Sequence, residues 1–188
     1  MKPVVVWVVG PPGAGKTTLV REFMRDGAPA RLIEKPKWTI RQFGRGYDTI
    51  CAAGHYTGAT FDGADTVPYN GVGDALNYWK RNLHDTIHTY HRHLVVFDGD
   101  RFSNKGVVQF FLPLATVKVI HLSASNEELE RRRTARGSKQ NPIWIKGRVT
   151  KSLNFLECFN KDDRLMLEAT HLRQVVAQVV AMEGFLRS

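Results

Sequence analysis

The sequence predicts an α/β protein in which helices cover both faces of a mainly parallel β-sheet, a three-layer sandwich. Short, continuous apolar segments are typical of strands that are buried on both faces. These segments alternate along the chain with segments of helical periodicity, which is the pattern of β-α-β units. The 188 residues contain no internal repeat and no low-complexity linker, so we expect a single domain spanning residues 1–188.

The apolar segments predict the strands, and the periodic segments predict the helices. Strands are expected at residues 4–9, 94–97 and 117–122, with 164–169 as a weaker candidate. Helices are expected at residues 15–25, 72–90, 125–136, 147–159 and 171–186. A capping box from Ser125 to Glu128 begins the third of these helices, and Thr170 can cap the last.

Two segments do not fit the sandwich. Residues 38–79 contain eight aromatic residues, and seven of the sixteen glycines fall between Gly44 and Gly73. A long loop of this kind inside a compact domain is commonly functional, so we interpret residues 38–79 as an insertion that binds an acceptor substrate. Residues 137–150 are polar, basic and weakly periodic, and they lie where a lid could cover a site.

Composition excludes several classes of protein. The chain is 43% hydrophobic and 24% charged, as expected of an ordinary globular domain. Two cysteines cannot form a disulfide framework, so we expect a reducing compartment such as the cytoplasm. No apolar run reaches the ~18 residues of a membrane span. The first run, VVVWVV, ends at Gly10-Pro11-Pro12, and we interpret it as a buried strand rather than a signal peptide.

The net charge of +9 is concentrated in two segments. Residues 31–45 hold five basic residues and one acid, and residues 125–151 hold eight basic residues and three acids. A localised positive field favours a polyanionic partner or several phosphate groups. The alternative is a basic surface that is simply solvated.

Residues 10–17, GPPGAGKT, match the phosphate-binding pattern G-x-x-x-x-G-K-[ST] between a predicted strand and a predicted helix. Glycines in this pattern let successive N–H groups converge on phosphate oxygens, and the helix N-terminus adds partial positive charge. Lys16 is expected to contact the β- and γ-phosphates, and Thr17 to ligate magnesium. We therefore predict an ATP and Mg²⁺ site formed by Gly10, Gly13, Ala14, Gly15, Lys16, Thr17 and Thr18.

An acidic sequence, Asp98-Gly99-Asp100-Arg101, follows the second apolar strand. A carboxylate at the end of a strand, in a sheet whose first strand leads to a phosphate loop, is suited to hold magnesium or to act as a base. Asp98 is the preferred candidate for both roles, with Asp100 and Arg101 placed to contact the acceptor. The alternative is an ordinary Asp-Gly turn.

Two arginines of the predicted helix 125–136 share one face. Arg132 and Arg136 stand at positions i and i+4. Guanidinium groups neutralise the charge that gathers on the oxygens of a transferring phosphoryl group, so we predict a catalytic role for both. The alternative is a solvated helix end, where cations are favoured by the helix dipole.

Residues 54–66 combine glycines, aromatics, hydroxyls and two acids. This composition would suit a stacked base with polar groups around its edge. Tyr56, Asp62 and Asp65 are the candidate acceptor-binding residues, and Asp65 competes with Asp98 as the base. The alternative is a loop held together by Asx turns.

Two further signals are discounted. Asn160-Lys161-Asp162-Asp163 matches the N-K-x-D pattern of GTPases, but no buried strand precedes it. His84, His88 and His91 share a helix face, with His93 beyond, and could ligate zinc, but no acid or cysteine partner is evident, and a polar helix face is the preferred interpretation.

These motifs resemble those of known kinases. The phosphate loop, the DGDR sequence and an arginine-bearing helix before a lid resemble nucleoside and nucleotide monophosphate kinases, whose adenylate-kinase-like members carry D-G-F-P-R at the comparable strand end. The segments GHYTGATFDGADTVPYNGVGDAL, VVFDGDRFSN and RRRTARGSKQNPIWIKGRVTK resemble, more narrowly, the bacteriophage P-loop kinases that phosphorylate 5-hydroxymethyluracil in DNA during thymidine hypermodification. This resemblance extends over nearly the whole chain.

The resemblance implies a P-loop kinase fold with a lid, working in the host cytoplasm. It implies transfer of the γ-phosphate of ATP to the hydroxymethyl group of 5-hydroxymethyluracil in DNA. Two basic segments agree with a DNA partner, because lysines and arginines hold the flanking phosphates. A soluble nucleoside or nucleoside monophosphate kinase is the alternative. A nucleic-acid-dependent NTPase without an acceptor is the third class.

Overall fold

A computed structural model describes residues 2–59, 62–84, 92–169 and 174–188. Its seven strands form one sheet in the order β2-β3-β4-β5-β1-β6-β7. The strands are β1 (Val4–Val9), β2 (Arg31–Glu34), β3 (Lys37–Gly44), β4 (Tyr47–Ala53), β5 (His93–Asp98), β6 (Thr116–Ser123) and β7 (Arg164–Glu168).

The α-helices are α1 (Lys16–Phe23), α2 (Val72–Tyr78), α3 (Lys105–Phe111), α4 (Asn126–Ala135), α5 (Pro142–Leu156) and α6 (Val175–Arg187). A π-helical segment, Trp79–His84, continues α2, and short 3-10 helices span Ala64–Thr66, Tyr69–Gly71 and Lys161–Asp163. Side chains cap several of these helices. Ser125 accepts a hydrogen bond from the Glu128 N–H as the capping box predicts, and Asn104 and Asn141 cap α3 and α5.

Six of the seven described strands run in one direction, and β3 runs in the opposite direction. β1 pairs in parallel with β5 and β6, and β4 and β7 extend this parallel sheet on either side. β2 and β3 form an antiparallel pair beyond β4. Because the parallel strands end together, the segments after β1, β4, β5 and β6 meet at one end of the sheet. We call this the carboxyl end.

Alternate residues of the central strand enter two cores, one on each face of the sheet. Val5, Trp7 and Val9 pack with apolar residues of α2, α3 and α5, while Val6 and Val8 pack with residues of α1, α4 and α6. Trp7 contacts the rings of Phe97, Phe111, Phe155 and Phe159 at centroid distances of 5.4–6.0 Å. The predicted three-layer α/β sandwich with a mainly parallel sheet is therefore confirmed.

The expectation of a long loop over residues 38–79 is wrong. Most of β3 and all of β4 lie within it, and β2 and α3 occur where no element was predicted. The exposed faces of the strands carry mixed polar and apolar residues, so the alternating pattern of a strand is not visible in the sequence. Helix α5 begins at Pro142, inside the predicted lid, because Asn141 caps it there. Thr170 and the last residues of the predicted helix 72–90 lie outside the described residues.

Three further findings concern the whole described chain. No described helix is long and apolar enough to cross a membrane. Cys51 and Cys158 are both free thiols, and burial raises the pKa of Cys51 to about 12. Cys51 is therefore an unreactive core residue.

Candidate active site

The phosphate loop, residues 10–17, curls between β1 and α1. Gly10, Gly13 and Gly15 have positive φ angles of 140°, 92° and 95°. A Cβ on Gly10 would lie 2.1 Å from the Leu122 carbonyl oxygen, so no larger residue fits against β6. Ala14 is buried and donates its N–H to the Pro11 carbonyl over 3.2 Å. The turn is therefore built as the motif requires.

Lys16 opens α1, with Thr17 and Thr18 following in the first turn. Its Nζ donates to the Gly10 and Pro11 carbonyl oxygens over 3.0 and 2.9 Å, so the amino group folds back over the loop. Burial lowers the pKa of Lys16, and the negative charges of Asp98 and Asp65 oppose that shift. When a phosphate group binds to the N–H groups of the loop, its oxygens can replace the two carbonyls as acceptors for the Lys16 amino group.

Asp98, the last residue of β5, is 3% exposed and forms the centre of the site. Its Oδ2 accepts a hydrogen bond from Thr17 Oγ1 over 2.5 Å. Its Oδ1 accepts from Tyr56 Oη and from the Ala64 N–H, each over 2.7 Å. Burial raises the pKa of Asp98 although these three hydrogen bonds act in the opposite direction. Burial, followed by the Asp98 charge, raises the pKa of Tyr56 well above its usual value.

The pair of Thr17 and Asp98 fits a magnesium ion. A hydroxyl and a carboxylate are hard oxygen ligands, and Mg²⁺ usually takes one or two such ligands together with phosphates and waters. Among the described residues, no group of three or more His, Cys, Asp or Glu side chains could hold a metal ion. The predicted metal residues therefore lie together, in a form suited to a metal that arrives with a nucleotide.

Arg132, which was predicted to neutralise a transferring phosphoryl group, lies against the phosphate loop. It is 7% exposed, and its Nη2 donates to the Ala169 carbonyl over 2.6 Å. Nη1 lies 3.3 Å from the Gly13 carbonyl oxygen, and Nε donates to Glu128 over 2.7 Å. The guanidinium N–H groups of Arg132 therefore already donate to protein oxygens next to the phosphate loop. The geometry therefore favours a positioning role for Arg132 over contact with a transferring phosphoryl group.

The neighbouring arginines of α4 differ in what they contact. Arg133 Nη1 donates to the Pro12 carbonyl over 3.2 Å, so a second arginine supports the loop. Arg136 is exposed, and its charge contributes to lowering the pKa of Lys16. Of the two predicted catalytic arginines, Arg132 contacts the phosphate loop directly, and Arg136 acts on Lys16 through its charge.

The described part of the segment 54–66, residues 54–59 and 62–66, folds back on itself over Asp98. The Gly63 N–H donates to the His55 carbonyl over 2.6 Å, and the His55 N–H donates to Thr66 Oγ1 over 2.9 Å. A Cβ on Gly54 would lie 1.9 Å from the Gly63 carbonyl oxygen, which restricts this crossing to glycine. We call residues 54–66 the closing loop.

The predicted acids of the closing loop have different environments. Asp62 is 9% exposed, accepts hydrogen bonds from the Thr57 and Gly58 N–H groups over 2.7 and 2.9 Å, and lies 3.7 Å from Arg21. It holds the loop together through N–H groups five and four residues before it, which is not the pattern of an Asx turn. Asp65 is largely exposed and lies 3.5 Å from Arg101. Of the two acids, Asp65 is the one accessible to an acceptor.

Asp100 and Arg101 stand just beyond Asp98 and pair with different segments. Asp100 forms ion pairs with Arg148 and Lys151 of α5, and Lys151 also donates to the Asp100 carbonyl over 3.0 Å. The guanidinium of Arg101 lies 4.3 Å from the centre of the Tyr69 ring. The sequence reasoning missed Arg148 and Lys151. Their spacing of three residues on the lid helix was the available signal.

His121 is a further residue of this region that the sequence did not single out. It lies in β6 opposite Val9, is 4% exposed, and has Nε2 3.4 Å from Ser152 Oγ of α5. Burial lowers the pKa of His121, and the charge of Lys16 adds to that effect. It is therefore neutral at physiological pH and packs α5 against the sheet.

The structure describes the first of the two discounted signals and not the second. Asn160 hydrogen-bonds Asp163 over 3.1 Å in the turn that precedes β7, where no guanine base could be read at a strand end. The side chains of His84, His88 and His91 lie outside the described residues.

The basic segment 31–45 is divided between the two ends of the sheet. Lys35 lies in the turn between β2 and β3, and Lys37, the first residue of β3, accepts a hydrogen bond from the Gly54 N–H at the carboxyl end. Arg45 lies in the turn at the opposite end, where it pairs with Asp26 over 2.7 Å, and Arg41 donates to the Ala28 carbonyl over 2.8 Å. Only part of this charge is therefore near the site.

Comparisons with known proteins gave matches among solved structures and a matching family model. Among solved structures, the chain is similar to shikimate kinase from Bacteroides thetaiotaomicron, with 17% identity, a TM-score of 0.46 and coverage of 98% of this chain and 99% of that chain. It is also similar to the tunicamycin resistance protein of Deinococcus radiodurans, with 17% identity, a TM-score of 0.44 and coverage of 98% and 96%. No curated protein sequence gives a significant match.

A family model described as an AAA domain matches residues 5–153. The match includes the phosphate loop, the closing loop, Asp98 and most of α5, and it spans well over half of the chain. The chain therefore belongs to this AAA domain family.

Proposed function

We propose that the protein is a phosphotransferase that moves the γ-phosphate of ATP to a hydroxyl group of a second substrate. One observation carries this proposal. The closing loop reaches the metal-binding carboxylate directly, because Tyr56 Oη and the Ala64 N–H both donate to Asp98 Oδ1 over 2.7 Å. An enzyme that only hydrolyses ATP needs a water molecule next to the γ-phosphate. A transferase needs a protein segment that holds the acceptor next to the γ-phosphate.

Each residue of the site has a separate role in this proposal. Lys16 neutralises the β- and γ-phosphates, and Thr17 with Asp98 would hold magnesium, which supplies further positive charge when bound. The acceptor oxygen forms a bond to the γ-phosphorus while the bond from that phosphorus to the β,γ-bridging oxygen breaks and ADP leaves. A carboxylate takes the proton of the acceptor hydroxyl. Asp98 is the first candidate for that base, and Asp65, exposed beside Arg101, is the second.

The acceptor that we propose is the hydroxymethyl group on C5 of 5-hydroxymethyluracil in DNA. The resemblance of the closing loop, the DGDR strand end and the lid segment to bacteriophage kinases supports this acceptor. Positive charge at the carboxyl end supports it as well. Lys35 and Lys37 lie beside the closing loop, and Arg148 and Lys151 approach Asp100 from α5.

A kinase of free nucleosides or nucleoside monophosphates is the second candidate. The pairing of Arg41 and Arg45 away from the site favours it, because a small substrate needs fewer external cations. A nucleic-acid-dependent NTPase without an acceptor is the third class, and ATP consumption without any labelled acceptor would identify it.

The test offers labelled ATP and Mg²⁺ with four acceptors. These are DNA containing 5-hydroxymethyluracil, the same DNA with thymine, free 5-hydroxymethyldeoxyuridine, and its 5′-monophosphate. We expect label only in the first DNA. Lys16→Ala is the inactive control, since removing one charge–phosphate contact costs about 10²–10³ in rate, and Lys161→Ala, an exposed lysine before β7, is the matched control that keeps activity. Label in a free nucleoside but not in DNA would overturn the proposed acceptor.

A further inference from the structure

Two exposed aromatic residues at the carboxyl end are each stacked on an arginine. The guanidinium of Arg148 lies 4.7 Å from the centre of the Trp144 ring, and that of Arg101 lies 4.3 Å from the centre of the Tyr69 ring. Tyr69 is 61% exposed and Trp144 is 40% exposed. The other three tryptophans, Trp7, Trp38 and Trp79, are at most 2% exposed. The surface position of Trp144 is therefore unusual for this chain.

The two arginine–aromatic pairs lie on either side of the end of β5. Asp100 binds Arg148, and the next residue, Arg101, stacks on Tyr69. Tyr69 belongs to the segment that follows β4, whereas Trp144 belongs to the helix that follows β6 and α4. In the sheet, β4 and β6 flank β5 and β1 from opposite sides, so the two aromatics approach the phosphate site from opposite directions.

Helical geometry directs Trp144 toward this site. Trp144, Arg148, Lys151 and Phe155 share one face of α5, at spacings of four, three and four residues. Phe155 packs on Trp7 in the core, and Lys151 and Arg148 reach Asp100. The same face therefore runs from the core, past the end of β5, to the exposed ring of Trp144.

We propose that this surface holds a polynucleotide strand with unstacked bases, which stack on Trp144 and Tyr69 while its phosphates contact Arg148, Arg101 and Lys151. The inference rests on the proposed function and specifies its acceptor. Aromatic rings accept any base by stacking, and guanidinium forks bind phosphate oxygens. A free nucleoside has one base and could occupy only one of the two rings. A duplex offers neither ring a free base face, so a single strand, or a strand displaced from a duplex, is the preferred ligand.

Trp144 provides the direct measurement, because it is the accessible tryptophan among the four. Without ATP, a twelve-residue oligothymidylate is expected to quench tryptophan fluorescence and to bind more tightly than either an abasic oligonucleotide of equal length or the duplex. Trp144→Leu should remove the quenching and weaken binding about 5- to 100-fold. Tyr69→Leu should weaken binding over the same range and leave the quenching in place. Phe43→Leu, an exposed aromatic near the opposite end of the sheet, is the matched control and should change neither.

Equal affinities for the abasic strand and for oligothymidylate, with no quenching, would overturn the inference, because binding would then depend on charge alone. Tighter binding to the duplex would overturn it as well. This experiment is independent of phosphoryl transfer. Quenching without transfer of label to DNA would refute the proposed DNA acceptor and leave the inference standing. Transfer of label to DNA without quenching would refute the inference and leave the proposed function standing.

Discussion

Gly63 is the residue through which the closing loop lies against Asp98. A Cβ at this position would be 2.7 Å and 2.8 Å from the two carboxylate oxygens of Asp98, and 3.0 Å from Thr17 Cγ2. Ordinary contact begins near 3.4 Å, so Gly63→Ala requires a movement of about 0.7 Å at the shortest contact. Since the same carboxylate is hydrogen-bonded to Thr17, this movement is transmitted to the predicted magnesium site.

The substitution also strains the backbone. Gly63 has φ 70° and ψ −152°, a region that is essentially restricted to glycine and costs about 1–3 kcal/mol for other residues. For a domain of this size each kcal/mol lowers Tm by roughly 2–4 °C. We therefore expect Gly63→Ala to remain folded at 25 °C, with Tm lowered by about 2–12 °C. Because misplacement of this order can cost ~10²-fold in rate, single-turnover phosphoryl transfer should fall by about that factor.

Gly58→Ala is the matched control for Gly63→Ala. Gly58 lies in the same loop and also has a positive φ, 87°, but a Cβ there would meet only Arg21 Nη1, at 3.7 Å. It should lower Tm by a comparable amount while the transfer rate stays within a few-fold of wild type. Rapid-quench measurement of one turnover, at a temperature well below both transitions, separates the two variants. A near-wild-type rate for Gly63→Ala, or an equal loss for Gly58→Ala, would refute the coupling between the closing loop and Asp98.

Four further outcomes are expected. Arg132→Ala should raise the ATP dissociation constant and lower Tm, because it removes the side chain that binds the phosphate-loop carbonyls. Arg131 pairs with Glu128 on the surface, so Arg131→Ala should change neither quantity. Calorimetry measures the dissociation constant, and thermal unfolding measures Tm. Asp98→Asn should reduce turnover by ~10² or more, whereas an equally large loss for Asp65→Asn alone would make Asp65 the base. Because burial raises the pKa of Asp98, its stabilising contribution is present at low pH and lost as pH rises through the raised pKa, so Asp98→Asn should keep or raise Tm at pH 7. Tyr56→Phe removes a hydrogen bond that lowers the pKa of Asp98, so the acid limb of the kcat/KM profile should move to higher pH, and an unmoved limb would contradict this. DNA affinity measured against salt should fall with a slope near −0.7 per phosphate contact on a single strand, and a slope of zero would contradict binding through the basic residues.

The central strands and the phosphate loop could be predicted because their signals are local. β1, β5 and β6 are continuous apolar runs, since each is covered on both faces. Gly10 to Thr17 form a pattern in which every spacing has a chemical reason. Asp98 followed from its place at the end of a buried strand, and the structure brings it within 2.5 Å of Thr17.

The outer strands could not be predicted in the same way. β2 and β3 lie at one side of the sheet, where partial exposure allows charged residues such as Arg31 and Arg41 within the strands. Glycines and aromatics there resembled a loop composition. Helix α3 is short and rich in β-branched and aromatic residues, KGVVQFF, so its helical propensity is low.

The role of Arg132 depended on tertiary structure. The spacing of Arg132 and Arg136 placed both on one side of a helix, but no sequence pattern states how close that side lies to the phosphate loop. Arg132 is near enough to bind loop carbonyls, and Arg136, one turn further, is exposed. The carbonyls of Gly13 and Ala169 that determine this difference lie more than thirty residues away in the chain.

Helix α5 is fixed at one end only, and this determines how the site can open. Its C-terminal half buries Ser152, Phe155 and Leu156 in the core, whereas Ile143 and Trp144 near its start are exposed. Rotation of the whole helix would expose that core, so admission of a substrate requires bending within the helix or fraying of its first turns. Gly147, which has low helical propensity and open space around it, lies at the junction of the two halves. Bending at Gly147 would move the first turns of α5 while Ser152, Phe155 and Leu156 stay buried.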